Sequence, residues 1–143
     1  LNCALLGPRP TVAITARDAV VDTAIKTCSK LMEQHEEPPV AILVTESSRE
    51  LQDAKSRLQA ALPDLEIYVP KTCKGLEFRH GVVVDLLEHD ADTVGVGFPV
   101  TRNRYQQLVG LYVSVSRFRE TLACVSTPGS PLDNGDPGSP SLV

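Results

Sequence analysis

Two runs of apolar residues, Val40–Thr45 and Gly81–Leu86, constrain the fold of this chain more than any other feature. A strand that is apolar at nearly every position has both faces covered, as strands in parallel sheets do. Shorter runs rich in β-branched and aliphatic residues predict three further strands, at Thr11–Thr15, Leu65–Val69 and Thr121–Ser126. The sequence therefore favours a sheet built mainly from parallel strands.

Amphipathic helices are predicted between these strands. Apolar residues recur at helical spacing within Ala19–Gln34, and Asp18 precedes them as a candidate N-cap. Ser47 is placed to begin a second helix, and Asn103–Arg117 has the spacing of another. Alternating strands and helices predict an α/β fold, in which a three-layer, mostly parallel sheet carries helices on both faces.

Composition limits the classes of function. The net charge is −4, so a nucleic-acid ligand would have to meet a local cluster of Lys and Arg. Four cysteines are scattered without a C-x-x-C pair, which favours free buried or loop thiols in a reducing, intracellular compartment, cytoplasmic or nuclear. No apolar run approaches the roughly 20 residues of a membrane span, and no signal peptide is recognised.

Most of the chain, residues 1–126, is predicted to form one domain. Residues 127–143 are mainly Pro, Gly, Ser and Asp, with almost nothing to bury, and are predicted to be a disordered tail.

Several polar and aromatic groups receive structural interpretations rather than functional ones. The acidic stretch is interpreted as a solvated loop; it contains Asp85, Glu88, Asp90 and Asp92. The histidines are interpreted as exposed or capping residues without a metal; they are His35, His80 and His89. Tyr105 and Tyr112 are interpreted as part of a helix's buried face.

The segment Lys74-Gly75-Leu76-Glu77-Phe78 lies between two predicted strands and is a candidate for ligand contact. Glycine lets a ligand approach the backbone closely, and Lys74 places a cation beside it. Glu77 offers a fixed acceptor for a pair of hydroxyl groups such as those of a ribose. The alternative interpretation is a surface loop with a solvated Lys and Glu.

Arg117 and Arg119 stand where a helix ends and a strand begins. A cation at a helix C-terminus is favoured by the helix dipole, which is a purely structural explanation. The functional interpretation is an arginine finger, because a guanidinium is always charged and matches the geometry of a phosphoryl group.

Together, KGLEF followed by an apolar strand and the later LYVSVSRFRETL resemble motifs V and VI of UvrD/Rep-type superfamily 1 helicases. Gly97-Phe98-Pro99 between them resembles a G-x-F-P stretch of the same family. The resemblance is specific over residues 66–126 and only architectural over residues 10–64. It implies the second RecA-like domain (2A) of an ATP-dependent DNA or RNA helicase or translocase, which is half of a P-loop NTPase unit and lacks the P-loop itself.

The resemblance also implies roles for individual residues. Arg117 would be the catalytic finger on the γ-phosphate of ATP, Glu77 would contact the ribose, and Gly75 would lie beside the nucleotide. Lys71 and Lys74 would face single-stranded nucleic acid. ATP and Mg²⁺ would be held by an N-terminal RecA-like domain of the same parent chain, because no G-x-x-x-x-G-K-[ST] is present here. This chain alone is expected to bind neither and to be inactive.

The segments also depart from the family pattern. Val69 and Lys71 stand where the family usually has Thr and His, and Ser116 and Phe118 replace the common Thr and Ala. Two alternatives stay open: a degenerate helicase-like scaffold without ATPase activity, and an unrelated doubly wound domain that binds a small ligand at its sheet edge. Sequence upstream of Leu1 would separate the motor from the scaffold, since only the motor requires a P-loop there.

Overall fold

The computed structural model describes residues 10–88, residues 102–130 and Leu132. Within them, the strands are β1 (Thr11–Ile14), β2 (Val40–Val44), β3 (Glu66–Tyr68), β4 (Phe78–Asp85) and β5 (Phe118–Ser126). They form one sheet in the order β1-β5-β4-β2-β3, and every neighbouring pair is parallel. The predicted parallel sheet is confirmed.

Helices cover both faces of this sheet. They are α1 (Val20–Gln34), α2 (Ser48–Ala61), the short α3 (Pro70–Cys73) and α4 (Arg102–Val115). Ala24 of α1 and Leu58 of α2 are buried against one face, while Cys73 of α3 and Leu111 of α4 are buried against the other. The predicted three-layer α/β architecture is therefore confirmed.

Strands β2 and β4 are neighbours inside the sheet, which explains their apolar sequences. Their side chains alternate between the two faces. Leu43 and Val82 join the core beneath α1 and α2, whereas Ile42 and Val83 join the core beneath α3 and α4. All four are fully buried, and burying an aliphatic side chain of this size contributes about 1.5–3 kcal/mol.

The two predicted helix starts have different outcomes. Ser47 is the N-cap of α2 and accepts the Glu50 N–H at 3.2 Å, as the sequence predicts. The prediction for Asp18 is wrong, because it lies within a single 3-10 turn, Arg17–Ala19, that precedes α1. Ala19 occupies the N-cap position instead, without a side-chain hydrogen bond.

Strands β4 and β5 begin earlier than their apolar runs indicate. The ladder between them already pairs Phe78 with Phe118, and each phenylalanine is followed by charged or polar residues rather than by an apolar run. The Phe118 ring packs directly over the backbone of Gly81, where a Cβ atom would lie 2.0 Å from the ring. Gly81 therefore allows the close approach that fixes the start of β5 on β4.

The interpretation of the acidic stretch as a solvated loop is wrong for Asp85, because its side chain is completely buried at the end of β4. Its carboxylate accepts the Ser126 hydroxyl at 2.6 Å, the Ser130 hydroxyl at 2.9 Å and the Leu87 N–H at 3.0 Å. Ser130 belongs to the segment predicted as a disordered tail. The prediction therefore does not hold for residues 127–130, which fold against the end of the sheet.

Some predicted features lie outside the described residues. These are His89, Asp90, Asp92, the Gly97-Phe98-Pro99 stretch and most of the predicted tail.

Candidate functional site

The two segments singled out in the sequence meet at one edge of the sheet, where β4 and β5 begin; we call it the amino edge. Glu77 immediately precedes β4, and Arg117 immediately precedes β5. The Phe78 N–H donates to the Arg117 carbonyl oxygen at 2.8 Å, so the backbones of the two segments are directly bonded. Parallel pairing thus brings together residues that are far apart in sequence.

Lys71, Lys74 and Gly75 lie on the approach to β4. Lys71 is on α3 and Lys74 follows it, and both side chains are exposed. Gly75 has a φ of +83°, a left-handed conformation that favours glycine. A Cβ atom at Gly75 would meet nothing within 4 Å, so the space beside its backbone is open.

The Arg117 guanidinium is held by neutral acceptors. Its Nε donates to the Val113 carbonyl oxygen at 3.2 Å, and its Nη2 donates to the Ser116 hydroxyl at 3.0 Å. Its Nη1 lies 3.5 Å from the Leu76 carbonyl oxygen. These bonds fix the direction of the guanidinium without neutralising its charge.

Arg117 differs in this respect from other arginines of the chain. Among the described residues, no carboxylate lies within ion-pair distance of it, whereas several arginines pair with one. The pairs are Arg17–Glu50, Arg57–Asp22, Arg79–Glu120 and Arg119–Glu77. A positioned cation with no carboxylate partner in the described part of the chain is available to an anionic ligand.

Leu76 connects the end of α3 to Arg117: its N–H donates to the Cys73 carbonyl oxygen at 3.0 Å, and its own carbonyl oxygen lies 3.5 Å from Arg117 Nη1. Burial raises the pKa of the Cys73 thiol, and the positive charge of Arg117 partly opposes that shift. Three described cysteines, Cys28, Cys73 and Cys124, are buried and free, as the sequence predicts.

Glu77 forms a two-pronged ion pair with Arg119, to which the family resemblance assigns no role. Glu77 Oε1 accepts from Arg119 Nε at 3.0 Å and from Nη2 at 2.7 Å, and Oε2 accepts from Nη2 at 2.8 Å. Opposite charges in the two segments were visible in the sequence, but the pairing of β4 with β5 was not. Both side chains are exposed, and the ion pair turns the Glu77 carboxylate towards Arg119.

His35 and His80 form a pair at β4. The prediction that the histidines are exposed is wrong for His80. The His80 ring is buried and stacks on the His35 ring, with centroids 3.8 Å apart and planes 13° from parallel. Burial lowers the pKa of His80, and the neighbouring His35 lowers it further. His35 is the residue that follows the last turn of α1.

The prediction that Tyr105 and Tyr112 lie on a helix's buried face is also wrong, because both side chains point into solvent. Their exposed fractions are 63% and 59%. The buried face of α4 is formed by Leu111 and Ser114 instead. The helix has apolar residues on several sides, so spacing alone did not reveal which side meets the sheet.

The opposite edge, where the strands end, carries two adjoining concavities of about 280 and 360 Å³. Arg17 lines both, but its guanidinium is engaged by Glu50 at 2.8 and 2.6 Å and by the Leu87 carbonyl oxygen at 3.2 Å. Glu46 and Glu88 add negative charge to the lining. The Arg17 guanidinium is therefore not free to bind a phosphate group at this edge.

No group of three or more potential metal ligands occurs among the described residues. Within the same ranges, none of the helices combines the length and the apolar character needed to cross a membrane. Comparison with known protein-family models finds no match to the chain, and comparison with curated proteins finds none either. Function is therefore inferred from the geometry of the amino edge and from the resemblance of its two segments.

Proposed function

We propose that this chain is the second motor domain of an ATP-dependent DNA or RNA helicase or translocase. It supplies Arg117 as an arginine finger to an ATP site that an N-terminal RecA-like domain completes. The observation that carries this proposal is the Arg117 guanidinium, which is fixed by neutral acceptors and has no carboxylate partner among the described residues.

The location of Arg117 supports a shared site rather than a self-contained one. In open parallel sheets, a ligand held by one domain binds outside the carboxyl ends of the strands. Gly75, Glu77 and Arg117 lie at the opposite, amino edge. A nucleotide at this edge would be held mainly by a second domain, which would present its phosphates to Arg117.

The chemistry of phosphoryl transfer fits the properties of Arg117. As the bond between the γ-phosphorus and the leaving oxygen breaks, negative charge spreads over the phosphoryl oxygens. A guanidinium cannot lose its proton at neutral pH and donates several N–H groups in one plane. Arg117 would therefore stabilise the transition state more than the bound substrate.

Glu77 and Gly75 would complete the contact with the nucleotide. Arg119 orients the Glu77 carboxylate, whose remaining acceptor positions can receive the two hydroxyl groups of a ribose. Gly75 leaves space for the nucleotide to approach the backbone. Lys71 and Lys74 would contact the phosphates of a nucleic-acid strand, and Mg²⁺ would arrive with ATP on the partner domain.

The test is ATP turnover by the intact parent protein carrying Arg117→Ala. We expect turnover to fall by roughly 10³-fold or more, as for other arginine fingers, with ATP affinity largely kept. Arg79→Ala is the matched control, because it removes a cation from the same edge that already has carboxylate partners. Its turnover should stay within a few-fold of the unmodified protein.

Turnover of Arg117→Ala within a few-fold of the unmodified protein would exclude the finger role. A parent without any ATPase activity would instead favour the scaffold alternative. The isolated chain should show no ATP hydrolysis, and robust hydrolysis by it would mean that a complete site exists within these residues.

A further inference from the structure

His35 and His80 join the end of α1 to strand β4. His35 follows the last residue of α1, and its N–H donates to the Leu31 carbonyl oxygen at 3.0 Å. Its half-buried ring stacks on the ring of His80, which is only 7% exposed, and the ring centroids are 3.8 Å apart. A half-buried imidazole therefore covers a buried one.

The loop between α1 and β2 contacts β4 through two described pairs of side chains. The first is the ring stack, and the second is the ion pair of Glu37 with Arg79, at 3.6 Å. Both partners of the ion pair are well exposed, so it contributes little to stability. Residues 36–38 are exposed as well, whereas Pro39 is buried where the loop reaches β2. Among the described contacts, the ring stack is therefore the main one that fastens this loop.

The closed stack cannot accept a proton on each ring. Two imidazolium groups would place like charges 3.8 Å apart, in a site that water reaches poorly on the His80 side. An imidazolium also needs acceptors for two N–H groups, and the buried Nδ1 of His80 has no hydrogen-bond partner among the described residues. The doubly protonated pair is accommodated only when the rings separate and water reaches His80.

The charged groups around His80 do not remove this restriction. Burial lowers its pKa most, His35 lowers it further, and Arg79 on the same strand acts in that direction. Glu120 on β5 and Glu37 in the loop oppose the shift without reversing it. Strand β2, on the other side of β4, is apolar throughout and adds no charged side chain. The closed stack consequently favours a neutral His80.

We propose that His35 and His80 form a proton-operated latch. The latch holds the loop between α1 and β2 on the sheet at neutral pH and releases it in mildly acidic solution, when both rings carry a proton. Histidine is the side chain whose ordinary titration falls in this pH range. The latch requires neither ATP nor a second domain, so it does not depend on the proposed function.

The release would be local, because the sheet next to the latch has its own core. Val82 and Val84 follow His80 on β4 and are fully buried between β2 and β5. The loop has few buried contacts to lose, and such segments open at a lower free-energy cost than the whole domain. Protonation would therefore free the loop while the sheet stays folded.

The experiment measures hydrogen exchange of the residue 35 amide in the full chain by NMR, at about pH 7.5 and about pH 5.5. Exchange rates are first corrected for the intrinsic effect of pH. An opening that takes up one proton becomes up to about tenfold more frequent for each pH unit below the ordinary histidine pKa of about 6.5. Protection of this amide should therefore fall by about fivefold or more between the two conditions.

The amide of Val83, in the centre of β4, separates local release from unfolding of the whole chain. We expect it to stay at least about tenfold better protected than the residue 35 amide at both pH values. Equal protection of the two amides would overturn the latch, because His35 would then be released only when the entire domain unfolds.

Two substitutions test the histidines themselves, and circular dichroism checks that each variant is folded. His80→Phe keeps a buried ring that does not titrate, so protection at residue 35 should change by less than about twofold between the two pH values. His35→Phe changes only the half-buried ring and removes one of the two charges, so its loss of protection should be smaller than in the unmodified chain. It serves alone if His80→Phe does not fold. A loss as large as in the unmodified chain, in either variant, would overturn the proposal.

Discussion

Arg117 and Arg119 are two residues apart, yet the structure gives them different surroundings. Arg119 is neutralised by Glu77, whereas the bonds of Arg117 go to carbonyl and hydroxyl oxygens. The sequence indicated that both lie near the end of a helix, but it contained nothing that assigned a partner to either. That distinction depends on which strand lies beside β5, and strand pairing is a property of the folded sheet.

The stacked histidines make stability depend on pH. Burial and the charge of His35 lower the pKa of His80, Arg79 acts in the same direction, and Glu120 and Glu37 oppose the shift. The unfolded chain therefore binds a proton at His80 more readily than the folded chain does. The stabilisation is present above the ordinary pKa of 6.5 and is lost as the pH falls towards the lower folded value.

We expect the free energy of unfolding, measured in urea, to fall between about pH 7.5 and about pH 5.5. His80→Leu removes the buried titrating ring, whose Nδ1 has no hydrogen-bond partner among the described residues. The variant should therefore show a shallower fall over the same interval. Parallel curves for the two proteins would show that His80 does not contribute.

At the scale of elements, strands and layers could be predicted, while boundaries and exposure could not. The apolar residues of β2 and β4 indicated burial on both faces, which the structure confirms. The early starts of β4 and β5 are not predicted, because each strand begins with one phenylalanine followed by charged or polar residues that precede its apolar run. Tyr105 and Tyr112 were misplaced because α4 has no continuous polar face that would mark the side towards solvent.

Two glycines on neighbouring elements should respond oppositely to alanine. Gly75→Ala forces a left-handed backbone on alanine and should destabilise the fold by about 1–2 kcal/mol. Gly110→Ala lies inside α4, where the new methyl group makes ordinary contact with Pro70, and should stabilise by about 0.5–1 kcal/mol. Urea unfolding of both variants measures the difference. Changes of the same sign would contradict the backbone conformations described for these positions.

At the scale of the whole molecule, the two edges of the sheet are built differently. The amino edge carries exposed ionic groups, whereas the end of β4 hides one carboxylate completely. Asp85 connects β4 to the end of β5 and to the segment that follows, through Ser126 and Ser130. The sequence showed an acid after an apolar strand, but only the fold supplies the two hydroxyl groups that compensate its burial.

We expect Asp85→Ala to destabilise the domain by about 2–3 kcal/mol, because it leaves two hydroxyl groups and the Leu87 N–H without their acceptor. Ser130→Ala removes one donor only and should cost about 1 kcal/mol. Urea unfolding would measure the loss of stability in both variants, provided that the slope of unfolding free energy against urea concentration is the same as in the unmodified chain. A loss below about 0.5 kcal/mol for Asp85→Ala would show that the buried carboxylate is not an organising contact.

The backbone bond between Phe78 and Arg117 has a mechanical meaning for the proposed motor. It joins the start of β4, which follows the turn that carries Lys74, directly to the backbone of the proposed finger. In the proposed motor, the domain would therefore rotate as one body in each ATP cycle, and the bound nucleic-acid strand would move with it.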